Sequence, residues 1–247
     1  MKKAGLLIAM AILTLGATAQ EYHSDPAKGI YISKKKNAEK ITITGGGGSH
    51  DFLKFFGVED GKVLSENGKN TVIYTEDSKE LGKLLPTTDI LLLSNNKPFD
   101  KEVEQALMTR VNAGKMNLLI YHPSTWYNWT DWPEYNKELV GGGSKSHEEI
   151  QEFEVNVVKP DHPIMKGVPK TFRVVDELYR WEKDPDATIE VLAMSKSLKT
   201  GDEFPSVWIV KHPRAKIIGN TLGHDERAHD NPAYIKILEN SLNWEKK

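Results

Sequence analysis

Lys40-Ile41-Thr42-Ile43-Thr44 runs into Gly45-Gly46-Gly47-Gly48 and then into Ser49-His50-Asp51. Ile41 and Ile43 alternate with polar neighbours, a strand pattern, and the glycines after them mark a turn. Phe52, Phe55 and Phe56 follow at amphipathic spacing, so the stretch reads as a first β–α unit. Downstream the alternation repeats, with a strand over 70–75 and a near-continuous apolar run, Ile90-Leu91-Leu92-Leu93, within 89–94. A helix over 100–113 carries Val103, Ala106, Leu107 and Val111 on one face and has Gly114 just past its end. Leu118-Leu119-Ile120 lies in a buried strand over 117–121 that ends at His122-Pro123. Such runs suit parallel strands buried on both faces. The pattern predicts a three-layer α/β fold, its mainly parallel central sheet containing Ile41, Ile73, Leu92 and Leu119 between two layers of helices. Further strands are expected over 153–158, 171–176, 189–194, 207–210 and 216–220, with a closing helix over 232–244. Without repeats or a dividing linker, residues 40–247 read as one domain.

Ahead of this domain, Lys2 and Lys3 precede an apolar run from Ala4 to Leu15, and Ala17-Thr18-Ala19 supplies a small-x-small cleavage pattern. Residues 1–19 therefore read as a signal peptide, too short in its apolar part to span a membrane, and residues 20–39 as an exposed lead-in. The expected location is periplasmic or secreted, with no membrane attachment after cleavage. Lys plus Arg (33) against Asp plus Glu (35) leaves a net charge of −2, which argues against a nucleic-acid partner. Cysteine is absent, which excludes a thiol nucleophile, thiolate metal ligands and disulfides.

No nucleotide cofactor is indicated: the glycine run meets His50 where a dinucleotide fingerprint needs its last glycine, and no phosphate-binding P-loop occurs. His147-Glu148-Glu149-Ile150-Gln151 lacks a zincin's second histidine, and there is no G-x-S-x-G elbow. The glycine turn either offers N–H groups to a ligand or is a tight turn alone. The histidines say more. His50, His122 and His224 each follow a predicted strand, and ligands of open parallel sheets bind at the strands' carboxyl ends. Together with His147 they form a candidate metal set, zinc being the divalent ion best suited to imidazole and carboxylate ligands. His122, Glu177 and His224 are the candidate catalytic residues, as ligands or acid–base groups. His23, His212 and His229 have no such placement. Trp126, Tyr127, Trp129, Trp132 and Tyr135 crowd a dozen positions. They suit either stacking on a sugar ring or packing against their own domain. Trp126, Trp129 and Trp132 are the candidate sugar platforms, with Tyr179 and Asp225 as further substrate contacts.

In sequence order, Gly48-Ser49-His50-Asp51, Leu118 to His122, Leu139-Val140-Gly141-Gly142 with His147, and Asp161-His162-Pro163-Ile164 resemble segments of the trehalose-utilisation (ThuA-like) family. Asp176-Glu177-Leu178-Tyr179, Pro205 to Trp208 and Leu222-Gly223-His224-Asp225 continue the resemblance over nearly the whole chain after the leader. It implies a fold similar to class I glutamine amidotransferases without their chemistry, because His122 stands near the place of their cysteine. It also implies carbohydrate use, of oxidised (3-keto) glycosides. One departure is the lack of glycine between Lys211 and Lys216, where the family often has a glycine-rich turn.

Two functions follow. One is an exported enzyme, a lyase, hydrolase or isomerase, acting on a glycoside or 3-keto sugar through a histidine-rich pocket in which a divalent metal or a histidine acid–base pair polarises the substrate. The other is a periplasmic sugar-binding protein that uses the same pocket without turnover. A structural or partner-binding role has no positive feature behind it.

Overall fold

The computed structural model describes residues 22–127 and 131–246. Its strands and helices in chain order are β1 (Ile30–Tyr31), β2 (Lys40–Thr44), α1 (Gly61–Ser65), β3 (Thr71–Thr75), α2 (Ser78–Leu84), β4 (Ile90–Leu93), α3 (Lys101–Asn112), β5 (Asn117–Tyr121), β6 (Gly142–His147), β7 (Gln151–Val157), β8 (Thr171–Asp176), β9 (Tyr179–Lys183), β10 (Ile189–Lys196), β11 (Glu203–Lys211), β12 (Lys216–Asn220), α4 (Glu226–His229) and α5 (Pro232–Glu245). A wide π-type helical stretch, Leu53–Asp60, leads into α1.

Ten strands form one sheet in the order β1-β3-β2-β4-β5-β12-β11-β10-β7-β8, and β6 pairs with β9 in a small second sheet. From β3 to β12 the neighbours are parallel. Alternate residues of these strands face opposite cores, as the pleat requires. Ile41, Ile43, Leu92, Leu119 and Ile218 pack with Phe56, Leu64, Tyr234 and Leu238 on one side. Leu91, Leu93, Leu118, Ile120 and Ile217 pack with Leu81, Leu107 and Val111 on the other. The predicted parallel core with helices on both faces is therefore present.

The other half departs from expectation. β11, β10, β7 and β8 continue the sheet antiparallel to one another. Short hairpin links join β10 to β11 and β11 to β12, while β7 returns to β8 through a longer loop over 158–170; a hairpin joins only antiparallel strands, whereas a parallel pair needs a long crossover. In the β11–β12 turn, where glycine is absent, the His212 Nδ1 accepts from the N–H groups of Arg214 and Ala215 at 3.3 and 3.0 Å. A side-chain acceptor thus closes the turn without glycine.

The lead-in is also more than a solvated segment. Ile30 and Tyr31 pair antiparallel with β3, extending the sheet, while Lys34, Lys35 and Lys36 are exposed as expected. The leader over 1–19 lies outside the described residues. Among those described, no helix is long and apolar enough to cross a membrane.

Candidate metal centre

Loops leaving the carboxyl ends of three parallel strands meet above the sheet: β2 leads to His50, β5 to His122 and β12 to His224. Glu177 comes from the short link between β8 and β9. One ligand-capable atom from each of His50, His122, Glu177 and His224 lies within 4.8 Å of all the others.

Each imidazole is oriented by its surroundings. A backbone carbonyl only accepts, so the nitrogen facing it carries the proton. The His50 Nδ1 donates to the Gly48 carbonyl at 3.0 Å, which leaves Nε2 with a lone pair. That Nε2 is buried and, among the described residues, has no hydrogen-bond partner. Burial, reinforced by His122, pushes the His50 pKa down to about 3 and keeps the ring neutral. The His122 Nδ1 donates to the Thr221 carbonyl at 2.7 Å, so its Nε2 faces the centre. Around that atom stand the Tyr179 hydroxyl at 3.0 Å, the His224 Nδ1 at 3.4 Å and the Glu177 Oε2 at 3.5 Å. The His224 Nδ1 lies 3.1 Å from the same Glu177 oxygen. Burial alone would lower the His224 pKa, but Glu177 holds it above the ordinary value. Burial likewise opposes ionisation of Glu177, yet hydrogen bonds from His122 and His224 hold its carboxyl well below the usual range.

Local backbone explains why these side chains converge. His122 is fully buried and sits at φ +39°, a left-handed conformation held where β5 turns sharply into Pro123. Gly47 has φ +129°, and a Cβ there would lie 1.6 Å from the Asn96 Oδ1. The room is needed because the Asn96 amide brackets Gly48, accepting from its N–H and donating to its carbonyl, both at 3.0 Å. The glycine run is thus a tight turn fitted to Asn96, and it carries His50.

The other predicted residues separate. His147 is outside the four-residue group: its Nδ1 donates to the Glu148 carbonyl at 2.9 Å and lies 3.4 Å from the Glu177 Oε1, the oxygen away from His122. Its side chain is 39% exposed, so it flanks the centre on the solvent side. Trp126 is half-buried and meets Tyr179 and His147 edge to face, with ring centres 5.4 and 5.7 Å apart. Tyr179 stacks on His122 at 4.4 Å. Trp132 corrects the expectation of a sugar platform: only 5% exposed, it packs on Tyr135 in the second core and turns no open face to solvent. Trp129 lies outside the described residues. Asp225 caps α4, accepting from the Arg227 N–H at 3.0 Å, and pairs with the Arg227 guanidinium, so its carboxylate is already engaged.

Two buried groups escaped the sequence reading. Asp176 accepts from the N–H groups of Gly223 at 2.8 Å, His224 at 3.1 Å and Glu177 at 2.8 Å, thereby ordering two of the four centre residues. Its adjacency to Glu177 was the only readable hint. His229 is buried, with Nδ1 on the Asp60 Oδ1 at 2.8 Å and Nε2 on the Gly223 carbonyl at 3.1 Å. It lies directly beneath the loop of His224, and nothing in its own sequence surroundings signals this.

The four residues bring three imidazoles, the first two anchored at Nδ1 by backbone carbonyls, and one carboxylate together, a donor set that could hold a divalent ion. The donor set fits zinc or a similar ion, and the orphaned His50 Nε2 is the atom that such an ion would satisfy.

Comparison with known proteins agrees with the fold. A ThuA-like protein from Parabacteroides merdae superposes with a TM-score of 0.72 at 21% identity, over 85% of this chain and 90% of that one. One from Bacteroides uniformis gives 0.71 at 22%, over 87% and 94%. A GMP synthase component from Thermoplasma acidophilum gives 0.53 at 17%, over 85% and 94%, which is the amidotransferase-like architecture. No curated protein matches the chain by sequence. The family model described as trehalose utilisation matches residues 40–245, nearly the whole described sheet and its helices, and the chain therefore belongs to the ThuA family.

Proposed function

We propose that the protein is an exported carbohydrate-processing enzyme that acts on a glycoside or an oxidised (3-keto) sugar at a divalent metal, zinc fitting best, held by His50, His122, Glu177 and His224. The observation that carries this reading is the buried, unpartnered His50 Nε2 beside two further imidazoles and a carboxylate. Membership in a family described by trehalose utilisation supports the substrate class. When bound, the ion supplies a Lewis acid for a sugar hydroxyl or carbonyl oxygen. His50 and His122 present Nε2 to the centre, since each spends Nδ1 on a backbone carbonyl. Glu177 presents Oε2 to the centre and Oε1 to His147, whose exposure lets it move a proton between the site and solvent. Half-buried Trp126, with Tyr179 behind it, offers an aromatic wall against which the apolar side of a pyranose can lie.

Metal analysis of chelator-free protein, paired with a panel of glycosides and their 3-keto forms, tests this. One ion per chain and turnover of a panel member are expected, and His122→Ala should lose both. Sugar binding by metal-free protein without turnover would overturn the enzyme in favour of a binding protein.

A further inference from the structure

The Gly223–His224 segment is gripped from two sides. On one side the Asp176 carboxylate takes both of its N–H groups, at 2.8 and 3.1 Å. On the other the His229 Nε2 donates to the Gly223 carbonyl at 3.1 Å. His229 is held in turn by Asp60, whose second oxygen accepts from the Tyr234 hydroxyl at 2.8 Å. Both ring nitrogens of His229 face acceptors, so both must carry protons, and Asp60 supplies the opposing charge. Phe55 stacks on the ring and Phe56 meets its edge, at 5.3 and 4.8 Å, leaving it no room to turn. Gly223 fits this grip. It sits at φ +126°, and a Cβ there would come within 3.3 Å of the His229 Nε2 and 3.4 Å of the Tyr234 hydroxyl. None of these groups reaches the candidate metal centre itself; they act on the peptide from which His224 reaches it.

We infer that His229, held by Asp60, is a positioning residue that fixes the Gly223–His224 peptide and so aims His224 at the candidate metal centre. The inference rests on the proposed metal site for its consequence, but the positioning itself concerns the chain alone. Residues that orient ligands cost metal sites about 10–100-fold in affinity when removed.

The test uses two replacements that each keep one half of the imidazole. His229→Gln places an amide donor near the position of Nε2 and can still reach the Gly223 carbonyl, whereas His229→Asn places one near Nδ1 and cannot. Zinc affinity is measured by competition with a chromophoric chelator, and exchange of the Gly223 and His224 amides by NMR in metal-free protein. Leu107→Ala, which opens a cavity in the opposite core, controls for lost stability. Zinc affinity should fall about tenfold or more in His229→Asn and stay near wild type in His229→Gln and Leu107→Ala, with the two amides exchanging faster only in His229→Asn. Equal behaviour of the Gln and Asn variants, in affinity and in exchange, would overturn the positioning role. Faster exchange in His229→Asn with no zinc bound by wild-type protein would leave the positioning role standing and remove the metal reading.

Discussion

His50 and His224, from opposite ends of the chain, meet edge to face with ring centres 4.7 Å apart. Burial keeps His50 neutral, so its ring sets no charge against that of His224, whose pKa Glu177 raises. Their approach gathers donor atoms in the folded chain itself, so an ion bound there would cost little further side-chain entropy.

His50→Ala removes the one donor that lacks a partner while leaving the other three in place. Zinc affinity should drop about 10–100-fold, with the far-ultraviolet circular dichroism unchanged. Chelator competition on the purified variant checks this, and an unchanged affinity would remove His50 from the ligand set.

His229 is not the inert histidine that its sequence surroundings suggest. His229→Ala leaves Asp60 buried and short of a partner, and should cost about 3–5 kcal/mol in urea unfolding. Its pKa is raised: burial opposes the charge, but Asp60 outweighs it. A raised folded-state pKa contributes stability that is complete below the unfolded value of about 6.5 and lost as pH climbs through the folded value. Wild type should therefore weaken on alkalinisation by at most about 1.4 kcal/mol per pH unit from this group. His224 shifts in the same direction, so the informative quantity is the difference between wild type and His229→Gln, in which the His229 contribution vanishes.

Two adjacent glycines should respond in opposite ways. Gly47→Ala forces a Cβ onto the Asn96 amide at φ +129°, and about 1–3 kcal/mol of stability should be lost along with the placement of His50. Gly48→Ala meets nothing within 4 Å and has no left-handed φ, so it should melt near wild type. Parallel thermal melts distinguish them.

The tryptophans divide by burial. Trp132→Ala should cost about 3–5 kcal/mol through the cavity it opens, whereas half-buried Trp126→Ala should weaken sugar binding with a much smaller loss of stability. Calorimetric titration with the best sugar of the panel, beside urea unfolding, measures both. Loss of sugar affinity from Trp132→Ala alone would reverse the assignment.

Export is tested at the N-terminus. Protein recovered from the native periplasm should begin at Gln20 by mass spectrometry, and retention of Met1 would refute the leader.

The sequence by itself determined the parallel half of the sheet. Strands such as Leu91-Leu92-Leu93 and Leu118-Leu119-Ile120 are apolar at every position because both faces are buried, and that is a local signal. It also named all four residues of the candidate centre, since His50, His122 and His224 end strands and Glu177 stands in a recognisable motif. β6 stayed hidden because Gly142-Gly143-Ser144 carries no strand alternation of its own, and β9 because the alternation of Tyr179-Arg180-Trp181 spans only three residues before Glu182-Lys183; the two are ordered by pairing with each other. Only the tertiary structure decided the rest: that His147 stands outside the group, that Trp132 is core, and that Asp60, Asp176 and His229 hold the loop of His224. A strand or helix advertises burial through the period of its own residues. A hydrogen bond between Asp60 and His229, or between Asp176 and Gly223, joins positions whose spacing has no period, so it exists only once the chain has folded.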